Sequence, residues 1–304
     1  MAKIAYIDKR FSKKSLLVIE RSNEILEELS AQGFTLTLRQ LFYQHVRRDW
    51  IPNTQKSYDN LGNTISEARL CGLVDWNHME DRIRDLAALP HWSDPSDVIN
   101  SAAEGYHIDM WAAQKYRPEV WIEKDALSGI VEGVCRKLDV PYFCCRGYTS
   151  QSSMWGGAMR LKKWARAGQI PYIFHFGDHD PSGKDMTRDI MDRLKMFMGP
   201  VKLERLALNM DQIKQYNPPP NPAKVSDSRY QAYMEEFGED SWELDALEPK
   251  QIVELIESNI KKLIEPKAWK KDEKRFEADQ TLLRKCSSRW DDVRDFLEDL
   301  EDEE

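Results

Sequence analysis

The stretch YIFHFGDHDPSGKDM, residues 172–186, constrains the fold more than any other part of the chain. An unbroken aromatic and β-branched run of this kind suits a strand covered on both faces. It stops at Asp178 and Asp180, one residue apart, and Pro181, Ser182 and Gly183 follow at once. Two like charges at the edge of a core are costly unless something positive lies between them. The same rhythm runs through the preceding residues. EVWIEK (119–124) reads as a short apolar strand, and 125–138 as a helix. VPYFCCRG (140–147) reads as a second strand, 151–167 as a helix, IPYIFHFGD (170–178) as a third strand, and a further helix begins near Gly183. Strands alternating with helices imply a parallel sheet with helices on its faces. Ligands of such sheets bind outside the carboxyl ends of the strands, where Glu123 and Asp178 both fall.

Glu123, Asp178 and Asp180 are therefore the candidate metal ligands. Oxygen-only donors without neighbouring His or Cys suit Mg²⁺, whose charge would offset the repulsion between the aspartates. His179 lies between them, but in an extended stretch its side chain points the opposite way, and it is set aside as a ligand.

The N-terminal part is helical by pattern. Residues 13–31 place Leu16, Leu17, Ile19, Ile25, Leu26 and Leu29 largely on one face, and Gly33 closes the helix. Thr37 caps a second helix to about Arg48, Pro52 breaks it, and a third runs from about Tyr58 to Cys71. LVDWNHMEDR (73–82) then reads as a short wing. Three helices and a hairpin suggest a winged-helix (CAP-like) DNA-binding module, with Arg47, Arg48, Lys56 and Arg69 as phosphate contacts. Any basic surface helix presents a similar pattern. Residues 90–118, rich in Pro, Ser, Asp and Asn early on, read as a connection. The expected fold is α/β plus α: a winged-helix domain over 1–100, a parallel-sheet α/β domain over 110–290, and an acidic tail over 291–304.

The formal net charge of −8 is carried by that tail, whose nine acids and one arginine leave the rest of the chain balanced. Overall acidity is thus no argument against a nucleic-acid partner, because local patches decide binding. The tail reads as a solvated, partly disordered end, with mimicry of DNA over a basic groove as the lesser alternative. No apolar run is long enough for a membrane helix, and MAKIAYIDKRFSKK has no apolar leader core. Five cysteines without C-x-x-C spacing read as reduced thiols of a cytoplasmic protein.

At these residues the chain resembles a known family. EVWIEKDAL, CCRGYTS and YIFHFGDHDPSGKDM look like a Toprim domain, more narrowly that of the topoisomerase VI A subunit and the eukaryotic meiotic double-strand-break protein. The matching positions are Glu123 and Lys124, Gly147, and Asp178, Asp180, Pro181 and Gly183, and the resemblance implies that the three acids hold Mg²⁺. TLRQLFYQHV (37–46) resembles the family's catalytic segment, which makes Tyr43 the nucleophile and Arg39 its phosphate-binding partner. On a helix, residues four apart share a face, and a guanidinium there would favour the phenolate and stabilise charge on phosphorus. Tyr58 and Tyr148 lack the preceding arginine. The resemblance covers roughly residues 35–200. QIKQYNPPPNPAK (212–224) and WELDAL (242–247) echo it weakly, and Glu243 and Asp245 read as ordinary helix-start acids, with support of the metal edge or the dimer interface as the lesser alternative.

What the resemblance implies is an Mg²⁺-dependent DNA-cleaving transesterase of the type IIB topoisomerase A-subunit kind. Tyr43 becomes joined to the 5′ phosphate of double-stranded DNA, working in a homodimer with the metal site of the other subunit. Glu123 either ligates the metal or serves the leaving oxygen as general acid or base, and Lys124, Arg146 and Lys184 steady the DNA backbone. The chain is shorter than the usual A subunit and has no P-loop or GHKL ATP motif. Either a separate GHKL ATPase subunit exists, or this is a stand-alone relative of the phage or plasmid type. Two rival readings remain: a Toprim nuclease using water, and a non-catalytic DNA-binding or replication protein.

Overall fold

The computed structural model describes residues 3–79 and 89–301. In chain order the helices are α1 (Lys13–Ser30), α2 (Leu38–Arg47), α3 (Gln55–Leu70), α4 (Pro95–Gly105), α5 (Ser128–Lys137), α6 (Gln151–Arg166), α7 (Pro181–Met198), α8 (Met210–Tyr216), α9 (Tyr230–Phe237), α10 (Pro249–Lys261), α11 (Pro266–Ser288) and α12 (Trp290–Glu301). The main strands are β1 (Tyr116–Ile122), β2 (Tyr142–Cys144), β3 (Ile170–Phe176) and β4 (Lys202–Ala207), and β5 (Asn221–Pro222) pairs with β6 (Asp240–Ser241) as a two-residue antiparallel ladder. The chain forms two compact units, Met1–Arg84 with Arg117–Lys262, and Asp85–Tyr116 with Leu263–Glu304. This grouping cuts across the sequence-based division: the sheet shares a unit with the N-terminal helices, and residues 263–290 group with 85–116 instead.

In the first unit, α1, α2 and α3 pack around Ile25, Leu26, Leu41, Phe42, Ile65 and Ala68, all buried. The helices start where side chains satisfy their free N–H groups. Ser12 Oγ accepts from Ser15 N at the head of α1, and Thr37 and Gln40 form a reciprocal capping box at the head of α2. Residues 73–79 of the expected wing contain a bend and a 3₁₀ segment, Trp76–His78, held by Asp75 accepting from Asn77 N. Residues 80–82 lie outside the described residues. Arg69 spends its guanidinium here, stacked 4.3 Å from the Trp76 ring centroid.

The sheet is parallel, in the order β2-β1-β3-β4. Val120, Trp121 and Ile122 on β1 and Ile173, Phe174, His175 and Phe176 on β3 are all buried, as the continuous apolar runs require of a sheet covered on both faces. From β1 the chain moves outward to β2, then returns to place β3 on the other side of β1. The crevice where the winding direction reverses opens between the carboxyl ends of β1 and β3, and Glu123 and Asp178 stand there.

In the second unit α4 packs along α11. Tyr106 and His107 stack on Phe276 at 6.0 and 5.8 Å, and Trp111 meets Trp269 edge-on at 5.5 Å. Two expectations are corrected here. Residues 95–105, expected within a connection, form α4: Asp94 accepts from Ser96 N and Pro95 sits in the first turn, so the polar residues taken for a linker are a helix start. The acidic tail is helical through Glu301, with Arg294 pairing Asp291 and Glu298 at helical spacing. Among the described residues no helix is long and apolar enough to cross a membrane.

Candidate active site at the carboxyl edge of the sheet

Glu123 follows β1, and its N–H donates to Phe176 O at 2.8 Å, locking it beside the end of β3. Its Oε2 accepts from Asp178 N at 2.9 Å. The buried Asp178 carboxylate is satisfied on both sides, Oδ1 by Leu244 N at 2.7 Å and Oδ2 by Lys124 Nζ at 2.9 Å. Asp180 caps α7, its Oδ1 accepting from Gly183 N at 2.6 Å and Ser182 Oγ at 3.1 Å. Gly183 is fixed by sterics: a Cβ there would lie 2.3 Å from the Asp178 carbonyl oxygen, closer than any side chain tolerates. His179 turns away, as expected, with Nδ1 2.7 Å from Tyr233 Oη and its ring against Phe237 and Trp242.

The positive charge that the two aspartates call for is supplied, at Asp178, by the chain itself. Lys124 Nζ lies 2.9 Å from Asp178, 2.6 Å from Glu243 and 3.4 Å from Asp245. Arg39 reaches the same pair from α2, with Nε 2.8 Å from Asp245 and a short contact to Glu243. Two cations thus interleave with three carboxylates. Burial works against the charged forms of Lys124 and Arg39, but the carboxylates outweigh it and raise both. Burial also pushes Glu243 upward, and Lys124 and Arg39 override it, holding the carboxyl down at about 2. Glu123 is raised by burial and by the charges of Asp178 and Asp180, and Asp178 is raised by burial despite Lys124.

Glu243 and Asp245 do stand at the start of a 3₁₀ turn, but their carboxylates serve the edge, the lesser of the two sequence alternatives. Glu243 precedes the 3₁₀ turn Leu244–Ala246 without a side-chain cap bond, and both acids are spent on Arg39 and Lys124. Arg205 was not singled out in the sequence at all, yet it donates to the Gly177 and Asp178 carbonyls beneath the edge.

Tyr43 lies in a cleft of about 200 Å³ lined by Arg39, Phe42, Asn53, Tyr58, Asn221 and Glu243. Arg39 and Tyr43 do share a helix face, the guanidinium carbon 5.9 Å from the ring centroid. The Tyr43 hydroxyl is 3.4 Å from Asn221 Nδ2, which donates to it, and the residue is only 5% exposed. Its electrostatics differ from expectation. Burial first and Glu243 second push the hydroxyl up to about 12, outweighing Asn221, Arg39 and Lys124, which act towards the phenolate. The carboxylate that anchors Arg39 also works against ionisation of the tyrosine.

The basic residues assigned to DNA divide into partly buried and exposed. Arg47 reaches Glu248 at 3.4 Å, and Arg48 pairs with Glu28 at 2.8 Å and packs near Trp50. Lys184 lies 5.0 Å from the centre of the Phe237 ring, its pKa lowered by burial. Lys56 is exposed on α3, and Arg146 is exposed beside Asp125 at 3.0 Å. Among the described residues no three His, Cys, Asp or Glu side chains converge as a ready-made cation cage. The chemistry of the edge nonetheless fits a hard divalent ion: the donors are carboxylate oxygens, and Glu123 is driven upward by burial first and then by two anionic neighbours. In comparisons with known proteins, the chain matches no family model and no curated protein sequence.

Proposed function

We propose that the chain is a DNA-cleaving transesterase of the type IIB topoisomerase A-subunit kind, a winged-helix-like helical module joined to a Toprim-like sheet. The observation that carries this reading is the sharing of Glu243 by Arg39, the neighbour of Tyr43, and Lys124, the neighbour of Glu123. One carboxylate thereby links the nucleophile's cleft to the acidic edge. In the reaction, Tyr43 Oη gives up its proton to water and bonds to a backbone phosphorus, the bond from that phosphorus to the 3′ oxygen breaks, and the 3′ oxygen takes up a proton as it leaves, so that Tyr43 ends joined to the 5′ phosphate. Arg39 is placed to pair with the phosphate oxygens once they displace Glu243. Glu123 has two alternative roles, ligating the metal or, left unligated and raised by burial and neighbouring charge, delivering that proton. Glu123, Asp178 and Asp180 would hold Mg²⁺, which when bound supplies charge neutralisation at the phosphate. The partners in this reading are double-stranded DNA, a second copy of the chain, and, for strand passage, a separate GHKL ATPase.

A second reading, hydrolysis by water at the same edge, draws support from the burial of Tyr43 and the rise of its hydroxyl to about 12. One experiment separates them: supercoiled plasmid with Mg²⁺, products run on a denaturing gel with and without protease. Transesterification leaves protein on the 5′ ends and is abolished in Tyr43→Phe. Free ends from wild type, or undiminished cleavage by Tyr43→Phe, refute the tyrosine mechanism.

A further inference from the structure

We infer that Arg205 is a positioning residue for the acidic edge: its guanidinium holds the backbone of residues 177–183 in the shape that keeps Asp178 and Asp180 beside Glu123. The inference deepens the proposed reading of this edge as a divalent-cation site and rests on it.

Arg205 comes from β4, paired in register with His175 of β3. All five of its N–H groups are used, and none on a carboxylate. Nη2 donates to Gly177 O at 2.9 Å and Asp178 O at 2.5 Å. Nη1 donates to Gly183 O at 2.9 Å and Thr187 Oγ1 at 2.7 Å, and Nε to Leu208 O at 3.3 Å. The fork therefore spans the loop from the residue before Asp178 to the first turn of α7, with Asp180 between its two anchors. A guanidinium offers this planar, divergent donor set. A lysine ammonium carries the same charge on a single tip and cannot reach carbonyls on both sides of a loop. Gly177 shows how tightly the fork is seated, since a Cβ there would stand 3.0 Å from Arg205 Nη1 and 3.1 Å from Glu123 Oε2. The Asp178 N–H bond to Glu123 depends on the orientation of that same peptide. Carboxylates that ligate a cation take their geometry from such supporting bonds, and losing one commonly weakens binding by about 10–100-fold.

The test uses the full chain and Mn²⁺ alone, with free Mn²⁺ read by electron paramagnetic resonance and amide exchange followed by mass spectrometry. Wild type is expected to bind Mn²⁺ and to lose that binding in Asp178→Asn. Arg205→Lys, which keeps the charge, is expected to bind about 10–100-fold more weakly. It should also speed exchange in residues 177–187 while α5 stays protected. Wild-type affinity in Arg205→Lys, or exchange that rises evenly along the chain, overturns the inference and leaves the cation reading standing. A wild type that binds no Mn²⁺ overturns both. Thr187→Val removes one acceptor and leaves the guanidinium in place, so it serves if Arg205→Lys does not fold. It should lose about 5-fold in affinity, the worth of one ordinary hydrogen bond, and unchanged affinity with unchanged local exchange overturns the inference independently.

Discussion

The α1–α3 bundle and the carboxyl edge of the sheet both bury polar chemistry, by opposite means. In the bundle Ile25, Leu26, Leu41 and Ile65 form an apolar interior, and the buried polar groups are few, among them Ser22 Oγ and His45 Nε2, 2.8 Å apart. At the edge Asp178, Asp245 and Lys124 are kept together by interleaved charges, and no apolar surface could replace one of them singly. The first region is specified by shape and volume. The second is specified by sign, and it can be rearranged by anything that brings charge of its own, such as a phosphodiester.

The sharpest way to break this comparison is to remove the central cation. Lys124→Met leaves Asp178 and Asp245 facing each other without it, and should cost about 4 kcal/mol in denaturant unfolding. A loss below about 1 kcal/mol would mean the edge is not held by charge. In the bundle, Leu41→Ala removes a fully buried side chain and should cost about 3 kcal/mol, while the volume-conserving Leu41→Met should cost less than about 1.5 kcal/mol. Equal costs would show that packing does not specify this region.

Acid probes the bundle in a different way. Burial, reinforced by Arg21 and Arg48, lowers His45 to about 4. Its folded value lies below its unfolded one, so the unfolded chain binds the extra proton between pH 6.5 and 4. Stability is therefore present above pH 6.5 and lost as pH falls through 4, by about 3 kcal/mol for this residue. Comparing wild type with His45→Gln across that window isolates it from the edge carboxyls, and parallel pH profiles would remove the assignment. The smallest effect belongs to the surface. Arg146→Ala should leave the unfolding midpoint unchanged, because its pair with Asp125 is exposed. If Arg146 meets DNA, the salt dependence of binding drops by about one unit of slope. An unchanged slope removes it from the interface.

Much of the framework could be read in the sequence because it is local. The cap Thr37, the apolar spacing of 13–31, and the alternation of strands with helices from 119 onward all act within one turn or one strand. The helix α4 was hidden by its own start signal, Asp94-Pro95, which resembles a linker when the apolar face behind it is short. The candidate site was legible only in part. Glu123, Asp178 and Asp180 announce themselves by interrupting apolar runs. Glu243, Asp245 and Arg205 do not, because their meaning lies in contacts with Arg39, Lys124 and the Gly177–Gly183 loop, and no local periodicity encodes such pairings. The state of Tyr43 escapes the sequence for a related reason. The sequence shows the arginine four residues earlier, but not the carboxylate that arrives from 200 residues away to oppose it.

Asp180 has one further consequence. The oxygen that caps α7 belongs to a carboxylate at the rim of the sheet, so the head of the helix is tied to the rim through one side chain. Whatever draws that oxygen outward loosens the first turn of the helix behind it, and news of an occupied rim travels along α7 as a change in how firmly its head is tied down.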